Sequence, residues 1–567
     1  MKLKGAEILI KMIKEQGVDT IFGYPGGAVI DIYDALEKTQ ELKHILVRHE
    51  QGAVHAADAY ARAKGKVGVA LVTSGPGATN TVTGIASAFM DSIPVVIFTG
   101  QVPTALIGND AFQEVDIVGI TRPCTKHNYL VKDPGKLART IKEAFYIAQT
   151  GRPGPVLVDL PKDIMGAFVE FEDPGDIDMK SYKPTYDPNK KQLSKVVKLI
   201  KQAKRPVIFS GGGVVLSKAS EELTALAKMT NTPVTASLMG LGTFPGSDPL
   251  WLGMPGMHGT YRANMSISHC DLLISAGVRF DDRVTGRTDK FASGAKIVQI
   301  DIDPTSIHKN VEATCPIVGD CKKTLGLLNS MLEKEDKNAI KGKPEERKAW
   351  IDQIAQWKAT SPQKFEQGPD IIKPQFVVDA LHRLTDQKKT IITTEVGQNQ
   401  MWTAQYYHFD HPNHFITSGG LGVMGFGLPA AIGAKAACPD KLVVCIAGDG
   451  SIQMNSQELM TSIEAKLPVK IVILNNRYLG MVRQWQELFY EKRYASTNME
   501  QSPDFVKLAE AYGATGLRTD RVDEVESVLK KGLATDGTVI MEFMVEREEC
   551  VYPMVPAGGA ISEMILV

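Results

Sequence analysis

In the stretch AGDGSIQMN (447–455) one carboxylate, Asp449, stands between two glycines directly after the apolar run KLVVCI. A second apolar run, PVKIVILN, ends in Asn475–Asn476, and between the two lie Leu459, Met460, Ile463 and Leu467 at helical spacing. Strand, helix, strand reads as one right-handed βαβ unit. It puts Asp449 and Asn476 at the carboxyl ends of neighbouring parallel strands, where open α/β sheets bind ligands. One carboxylate and one amide oxygen do not enclose a divalent ion alone. They suit Mg²⁺, which takes its remaining ligands from phosphate oxygens and water. Gly448 and Gly450 let backbone approach such a phosphate. Asn455 occupies an N-cap position with Glu458 three residues on, the spacing of a capping box. A bare GDG is also what a β-turn with a solvated Asp looks like; the strand-helix-strand spacing to the Asn pair is what favours metal and diphosphate.

Other groups have the same double character. Glu50, in HILVRHEQGAVHAADAYARA, ends one strand and opens a helix; it is either a favourable charge at a helix N-terminus or a proton-relaying carboxylate. Met424 lies among the glycines of TSGGLGVMGFGLPAAIGA, either filling a core gap or wedged against a ligand. RFDDR (279–283) is either a surface ion-pair run or a carboxylate-binding arginine with its escort. Trp485 is equally a core aromatic or a pocket wall, and Lys162, in a Pro-Lys-Asp turn, is an ordinary exposed lysine on its face.

The elements that must position these groups repeat one grammar. Residues 1 to about 180 alternate β-rich runs (DTIFGYPG, HILVRHE, VGVALVTSG, PVVIFTG, GPVLVDLP) with amphipathic helices, as a parallel α/β sheet requires. The pattern resumes with RPVIFSGGG, TPVTASLMG, DLLISAGVRFDD and AKIVQIDIDP, and again with TIITTEVG, KLVVCIAGDG, PVKIVILNN and GTVIMEFMV. Two passages separate the three blocks: EDPGDIDMKSYKPTYDPNKK (172–191) and EKEDKNAIKGKPEERK (333–348). The expectation is α/β throughout: three doubly wound parallel-sheet domains at 1–180, 190–335 and 370–567, with no sequence repeat of 20–50 residues visible. A length of 567 residues exceeds what one core supports. A formal net charge of −1 gives nucleic acid or anionic membrane no electrostatic purchase. Seven scattered cysteines, with no C-x-x-C, read as reduced thiols. Without signal-peptide anatomy or a spanning apolar run, the expected location is cytoplasmic.

GDG with NN at this distance resembles the thiamin diphosphate signature, and RHEQGA with YARA resembles the segment that carries its glutamate. FGYPGGAV, GNDAFQEVDIVGITRPCTKHN, GRPGPVLVDLPKD, GMHGT, GVRFDDRVTGR, QIDIDP, NNRYLGMVRQWQ and YPMVPAGGAISEMI extend the likeness over essentially the whole chain. It is to the catalytic subunits of the acetohydroxyacid (acetolactate) synthase family, biosynthetic FAD-containing type. The three domains are then implied to bind the cofactor's pyrimidine, FAD, and the diphosphate with Mg²⁺. The implied reaction decarboxylates pyruvate on thiamin diphosphate and transfers the two-carbon unit to pyruvate or 2-oxobutanoate.

Residue by residue, the resemblance gives Glu50 the pyrimidine N1′ atom and makes Met424 the wedge that bends the cofactor, with Gly422 beside it. Diphosphate contacts fall to Gly397, Gln398 and Asn399, to Gly448, Asp449, Gly450 and Ser451, and to Asn476, Tyr478, Leu479, Gly480 and Met481. Asn399 stands where the family commonly has His, and a single hydrogen bond is what an Asn there retains. The metal falls to Asp449, Asn476 and Tyr478; Gly27, Ala28, Phe112, Gln113 and Lys162 come near the reaction centre. Arg283 is implied to hold the acceptor carboxylate, with Trp485 and Met257 shaping its pocket. FAD falls to Arg152, the run Gly211, Gly212, Gly213, the segment Ser237, Leu238, Met239, then Met257 and His258. It also falls to Gly277, Arg279, Asp281 and Arg283, to Asp301 and Asp303, and to Asp320 and Cys321. With no net redox step in the condensation, the flavin's implied part is structural. A homodimer or homotetramer, with first and third domains of different subunits facing each other, and a separate regulatory small subunit are also implied. The alternative on the same plan is a FAD-dependent pyruvate oxidase.

Overall fold

Each alternating block closes into a parallel sheet. The structure, a computed structural model, describes residues 1–566. In the N-terminal block the strands lie in the order Lys43–Leu46, Thr20–Tyr24, Gly68–Val72, Val95–Gln101, Val156–Pro161, His127–Leu130, every pairing parallel. Gly68–Val72, Val95–Gln101 and Val156–Pro161 are buried at every residue. That is why their sequences run continuously apolar instead of alternating.

In the C-terminal block Thr390–Thr394, Leu442–Gly448, Lys470–Asn475, Val539–Met544 and Thr515–Thr519 lie side by side, again parallel. Counting from Thr20–Tyr24 and from Thr390–Thr394, the two sheets share the same order of crossovers, strand for strand. The duplication invisible in the sequence exists in topology. The middle sheet runs Val234–Ala236, Pro206–Ser210, Leu272–Ala276, Lys296–Asp301, Cys315–Val318. That order, 2-1-3-4-5, has its topological switch point between Pro206–Ser210 and Leu272–Ala276.

The three sheets fall into two compact units. One comprises Met1–Lys183, Lys389–Asn399 and Ile416–Arg547, so it holds both the first and the last sheet; the other comprises Pro184–Lys388, Gln400–Phe415 and the chain from Glu548. Within the first unit, helix Glu50–Lys64 packs on helix Gly427–Ala437. A Cβ on Gly433 would lie 2.8 Å from Ala56 Cα, so the contact needs glycine there. Every residue from Gly52 to Arg62 is buried, an all-round burial that the Ala-rich sequence QGAVHAADAYARA permits.

The passage 172–191 runs from just after strand Phe168–Glu170 into the first turn of helix Lys190–Gln202. The charged passage 333–348 is not a linker. It contains helix Lys337–Ile340 and opens helix Pro344–Thr360. Trp350 and Ile354 of that helix join the middle core, and Trp350 Nε1 donates to the Pro206 carbonyl at 3.2 Å. The surface charges of an amphipathic helix had masked its buried stripe. Among the described residues the seven cysteines form no disulfide, and no helix is long and apolar enough to cross a membrane.

Candidate active site

Strands Leu442–Gly448 and Lys470–Asn475 pair directly, Gly448 opposite Leu474, which sets Asp449 and Asn476 at adjacent strand ends. Asp449 opens the short helix Asp449–Ile452 and is 1% exposed. Burial pushes its carboxyl up to about 7, although N–H groups of its own residue, Asn476 and Gly450 pull the other way. Its Oδ2 is buried with no hydrogen-bond partner among the described residues. A buried carboxylate oxygen left in that state is costly unless a cation meets it. Asn476 Oδ1 accepts the Tyr478 N–H at 3.1 Å, and its Nδ2 donates to Gln398 Oε1 at 3.1 Å. A Cβ on Gly450 would come 2.8 Å from the Leu479 side-chain end and 2.9 Å from Met499 Sδ, so these two flexible side chains close over the second glycine of GDG. The donor set, one orphaned carboxylate oxygen and one oriented amide oxygen, fits Mg²⁺ completed by phosphate and water. Among the described residues no three His, Cys, Asp or Glu side chains gather into a metal site of their own.

Asn399 turns away from a diphosphate-donor role: its Nδ2 donates to the carbonyls of Glu395 and Ile446, both at 3.0 Å. Trp485 is half-buried on helix Gly480–Phe489, directly after Arg483 and Gln484, which are fully buried.

The second carboxylate has its own setting at the carboxyl edge of the first sheet. Glu50 begins helix Glu50–Lys64, capped by His49, whose Nδ1 accepts the Gln51 N–H at 3.1 Å. Glu50 Oε2 accepts from Asn80 Nδ2 at 2.9 Å, and a Cβ on Gly77 would stand 3.3 Å from Oε1. Gly75, in the same SGPG turn, has φ +57°, and a Cβ there would lie 2.8–3.0 Å from the backbone of Gln113. Gln113 itself has φ +58°. Gly26, in YPGG, approaches Thr73 so closely that a Cβ would lie 2.5 Å from the Thr73 Cβ. Thus Glu50, the SGPG turn, YPGG and the loop of Phe112 and Gln113 converge. Phe112 is 88% exposed, and Gly27 and Lys162 are also open. The loop is folded by Glu114, which accepts the N–H groups of Ala111 and Gly108, and is tied by Asp163, which accepts the Thr104 N–H at 3.0 Å.

The Met424 loop is pinned on both sides by groups that sequence reading missed. Asp91 accepts the N–H groups of Gly419 and Gly420 at 3.0 and 2.7 Å, and Arg62 donates to the Thr417 carbonyl at 2.9 Å. Arg62 is also paired with Asp58 and Asp91 in a buried triad. Downstream, Glu395 accepts the N–H groups of Gly425 at 2.6 Å and Leu428 at 3.3 Å, and burial raises its carboxyl to about 7. Met424, half-buried, and Gly422, with φ +71°, lie on the span between. The available signal for Glu395 was an acid at the end of an apolar strand, the same signal that drew attention to Asp449.

The expected capping box is absent. Asn455 Nδ2 instead donates to the Gly425 carbonyl at 2.7 Å, and helix Glu458–Glu464 has no side-chain cap. Glu458, fully buried, instead accepts the Arg48 N–H, just ahead of the helix that His49 caps.

The flavin candidates line the carboxyl edge of the middle sheet. Gly211 follows strand Pro206–Ser210 and Gly277 follows Leu272–Ala276, flanking the switch point. A Cβ on Gly213 would lie 2.5 Å from Gly277 Cα, so the two turns meet backbone to backbone. Ser237, Leu238 and Met239 follow Val234–Ala236. Asp301 ends its strand and Asp303 caps the next turn. Asp320 caps helix Cys321–Leu332 through the Lys323 N–H at 2.9 Å. His258 is buried and its imidazole is pushed down to about 4 by desolvation, so it is neutral at pH 7. Met257 is half-buried, and its N–H donates to the Arg283 carbonyl at 2.7 Å. The Arg283 side chain is 59% exposed with Asp282 3.8 Å away, and Arg279 lies 3.5 Å from Asp281. Arg152, in the other unit, donates to Ser92 Oγ at 2.8 Å.

Known proteins resemble this chain along its length. Three family profiles match in chain order: "Thiamine pyrophosphate enzyme, N-terminal TPP binding domain" at 3–120, "central domain" at 193–328 and "C-terminal TPP binding domain" at 395–543. The fold and these three matches define a thiamin diphosphate-dependent enzyme. The acetolactate synthase large subunit of Haemophilus influenzae is 49% identical over 568 residues, covering 100% of this chain and 98% of its own. The acetolactate synthase isozyme 3 large subunit of Escherichia coli is 49% identical with the same coverage. The probable acetolactate synthase large subunit of Methanocaldococcus jannaschii is 49% identical, covering 99% of this chain and 95% of its own. The chain belongs to the acetolactate synthase large-subunit family.

Proposed function

We propose that the protein makes 2-acetolactate from two pyruvates, or 2-aceto-2-hydroxybutanoate from pyruvate and 2-oxobutanoate, the first common step of branched-chain amino-acid biosynthesis. Thiamin diphosphate, when bound, supplies the carbon that adds to the 2-oxo group and the electron sink that makes loss of CO₂ feasible. Asp449 and Asn476, with Tyr478, hold the Mg²⁺ that anchors the diphosphate. Glu50, oriented by Asn80, holds the proton at pyrimidine N1′ and so sets the basicity of the neighbouring amino group. Arg283 pairs with the acceptor carboxylate, whose planar geometry a guanidinium matches, and Trp485 shapes the acceptor pocket. Phe112, Gln113 and Lys162 border the reacting atoms.

The observation that carries this reading is the orphaned Asp449 Oδ2 beside the oriented Asn476 amide, in a chain matched end to end by acetolactate synthase large subunits. FAD is supported by the close glycine turns at the middle sheet's switch point and by the acidic caps beside them. Its role is structural, since the condensation transfers no net electrons. A homodimer or homotetramer is supported by the separate settings of Glu50 and Asp449: the bonded neighbour of Glu50 is Asn80, and those of Asp449 come from the last block. A second copy would supply the complementary half. The relatives' designation "large subunit" supports a separate regulatory small subunit, and the compartment proposed is the cytoplasm.

The deciding experiment is a product assay on purified protein with pyruvate, with and without thiamin diphosphate, Mg²⁺ and FAD. Acetolactate formed without an added electron acceptor is expected. Acetate formed with stoichiometric flavin reduction would instead identify a pyruvate oxidase.

A further inference from the structure

Gln484 is a fully buried amide on helix Gly480–Phe489, one residue before Trp485. A buried amide is costly unless its hydrogen bonds are made. Gln484 Oε1 accepts from Gln398 Nε2 at 3.0 Å. Gln398, itself 4% exposed, accepts through Oε1 from Asn476 Nδ2 at 3.1 Å. Asn476 then turns Oδ1 to the Tyr478 N–H at 3.1 Å. Because a backbone N–H can only donate, that last bond identifies the oxygen of the Asn476 amide independently of the two glutamines. The three amides thus run head to tail in one direction.

We propose that Gln484 is a positioning residue for the metal end of the site, acting through Gln398 to hold the Asn476 amide with its oxygen towards the cation. This rests on the reading of Asp449 and Asn476 as Mg²⁺ ligands. An Asn side chain is nearly symmetric in shape, and rotated by half a turn it would offer N–H groups to the cation. Gln398 blocks that rotation by presenting an oxygen to Nδ2, and Gln484 prevents Gln398 from turning over by presenting an oxygen to Nε2. A cation drawing on Oδ1 makes Nδ2 a stronger donor, so metal and relay strengthen each other. Gly480 makes room for the junction: a Cβ there would lie 2.7 Å from Asn476 Nδ2 and closer still to Gln398 Oε1.

The test titrates Mn²⁺ into full-length protein with thiamin diphosphate present, following bound Mn²⁺ by electron paramagnetic resonance. Gln484→Met, whose thioether is only a weak acceptor, is expected to weaken binding about tenfold or more, as loss of a metal ligand's supporting hydrogen bond does. Gln484→Glu, which keeps an acceptor facing Gln398 Nε2, is expected to stay within about twofold of wild type, a rescue that a purely packing role would not give. Equal affinity in all three proteins, or equal loss in both variants, overturns the proposal. If the methionine variant does not fold, Gln484→Asn, too short to reach Gln398, takes its place with the same expected loss. Wild-type protein that binds no Mn²⁺, and is unchanged by Asp449→Asn, would instead overturn the metal reading itself, and the relay with it.

Discussion

Glu458 Oε1 accepts the backbone N–H of Arg48 at 3.0 Å, joining the helix that follows Asp449 to the turn that precedes Glu50 in the same chain. Glu458 is fully buried; Thr461 Oγ1 donates to its Oε2 at 2.6 Å, and a Cβ on Gly52 would lie 2.6 Å from Oε1. Glu458→Ala would leave the Arg48 N–H without its acceptor. It is expected to lower the unfolding free energy by about 1–3 kcal/mol in urea titrations and to lower turnover by loosening the first turn that carries Glu50.

The same residue gives a pH dependence. Burial raises the Glu458 carboxyl from 4.5 to about 7. Its contribution is therefore complete below about pH 4.5, where folded and unfolded chains are both protonated. It declines as pH rises towards 7, because the unfolded chain releases the proton first, and it is gone above that. Over this window the loss is on the order of 3 kcal/mol. Glu458→Gln should flatten, not abolish, the fall in stability between pH 5 and 7, since Glu395 also titrates near 7. Urea midpoints at several pH values check this.

Glu50→Gln keeps the size of the side chain but cannot relay a proton. Turnover is expected to fall by roughly 10²–10⁴-fold, the scale of general acid–base assistance, while thiamin diphosphate affinity measured by fluorescence quenching is retained. Unchanged turnover would remove Glu50 from the chemistry.

Arg62→Met breaks the buried triad with Asp58 and Asp91 and removes the donor to the Thr417 carbonyl. Stranding two buried carboxylates is expected to cost about 3–5 kcal/mol, visible as a large drop in Tm. Proteolysis should then cut first within 417–428, the Met424 loop.

Gly75→Ala puts a methyl group against the Gln113 backbone at a position whose φ is +57°. The strain is of order 1–3 kcal/mol and must be relieved by moving the loop of Phe112 and Gln113. A raised KM for pyruvate with little change in Tm is the expected result.

The chemistry-bearing ends of the strands were legible in the sequence because parallel strands buried on both faces must read as continuous apolar runs, and ligand groups must follow where those runs stop. That reasoning placed Asp449, Asn476 and Glu50 just beyond strand ends, where the structure has them; the glycines of the middle sheet were singled out by the family resemblance. It missed Glu395, Arg62, Asp91 and Gln484, and it misread Asn455, Glu458 and the helix Pro344–Thr360. A buried carboxylate or amide whose partners lie far along the chain has no local signature. Arg48 and Glu458 are 410 residues apart, and Gln398 and Gln484 are 86 apart.

By itself the sequence determined which segments are strands and which candidate ligand groups stand where those strands stop, because those constraints act over a few neighbouring residues. Only the tertiary structure decided that the first and last blocks share one sheet topology and one compact unit. It alone decided which buried acids brace the Glu50 turn and the Met424 loop, and which way the Asn476 amide points. Those outcomes depend on satisfying buried hydrogen bonds between segments brought together by folding, and spacing along the chain does not encode them.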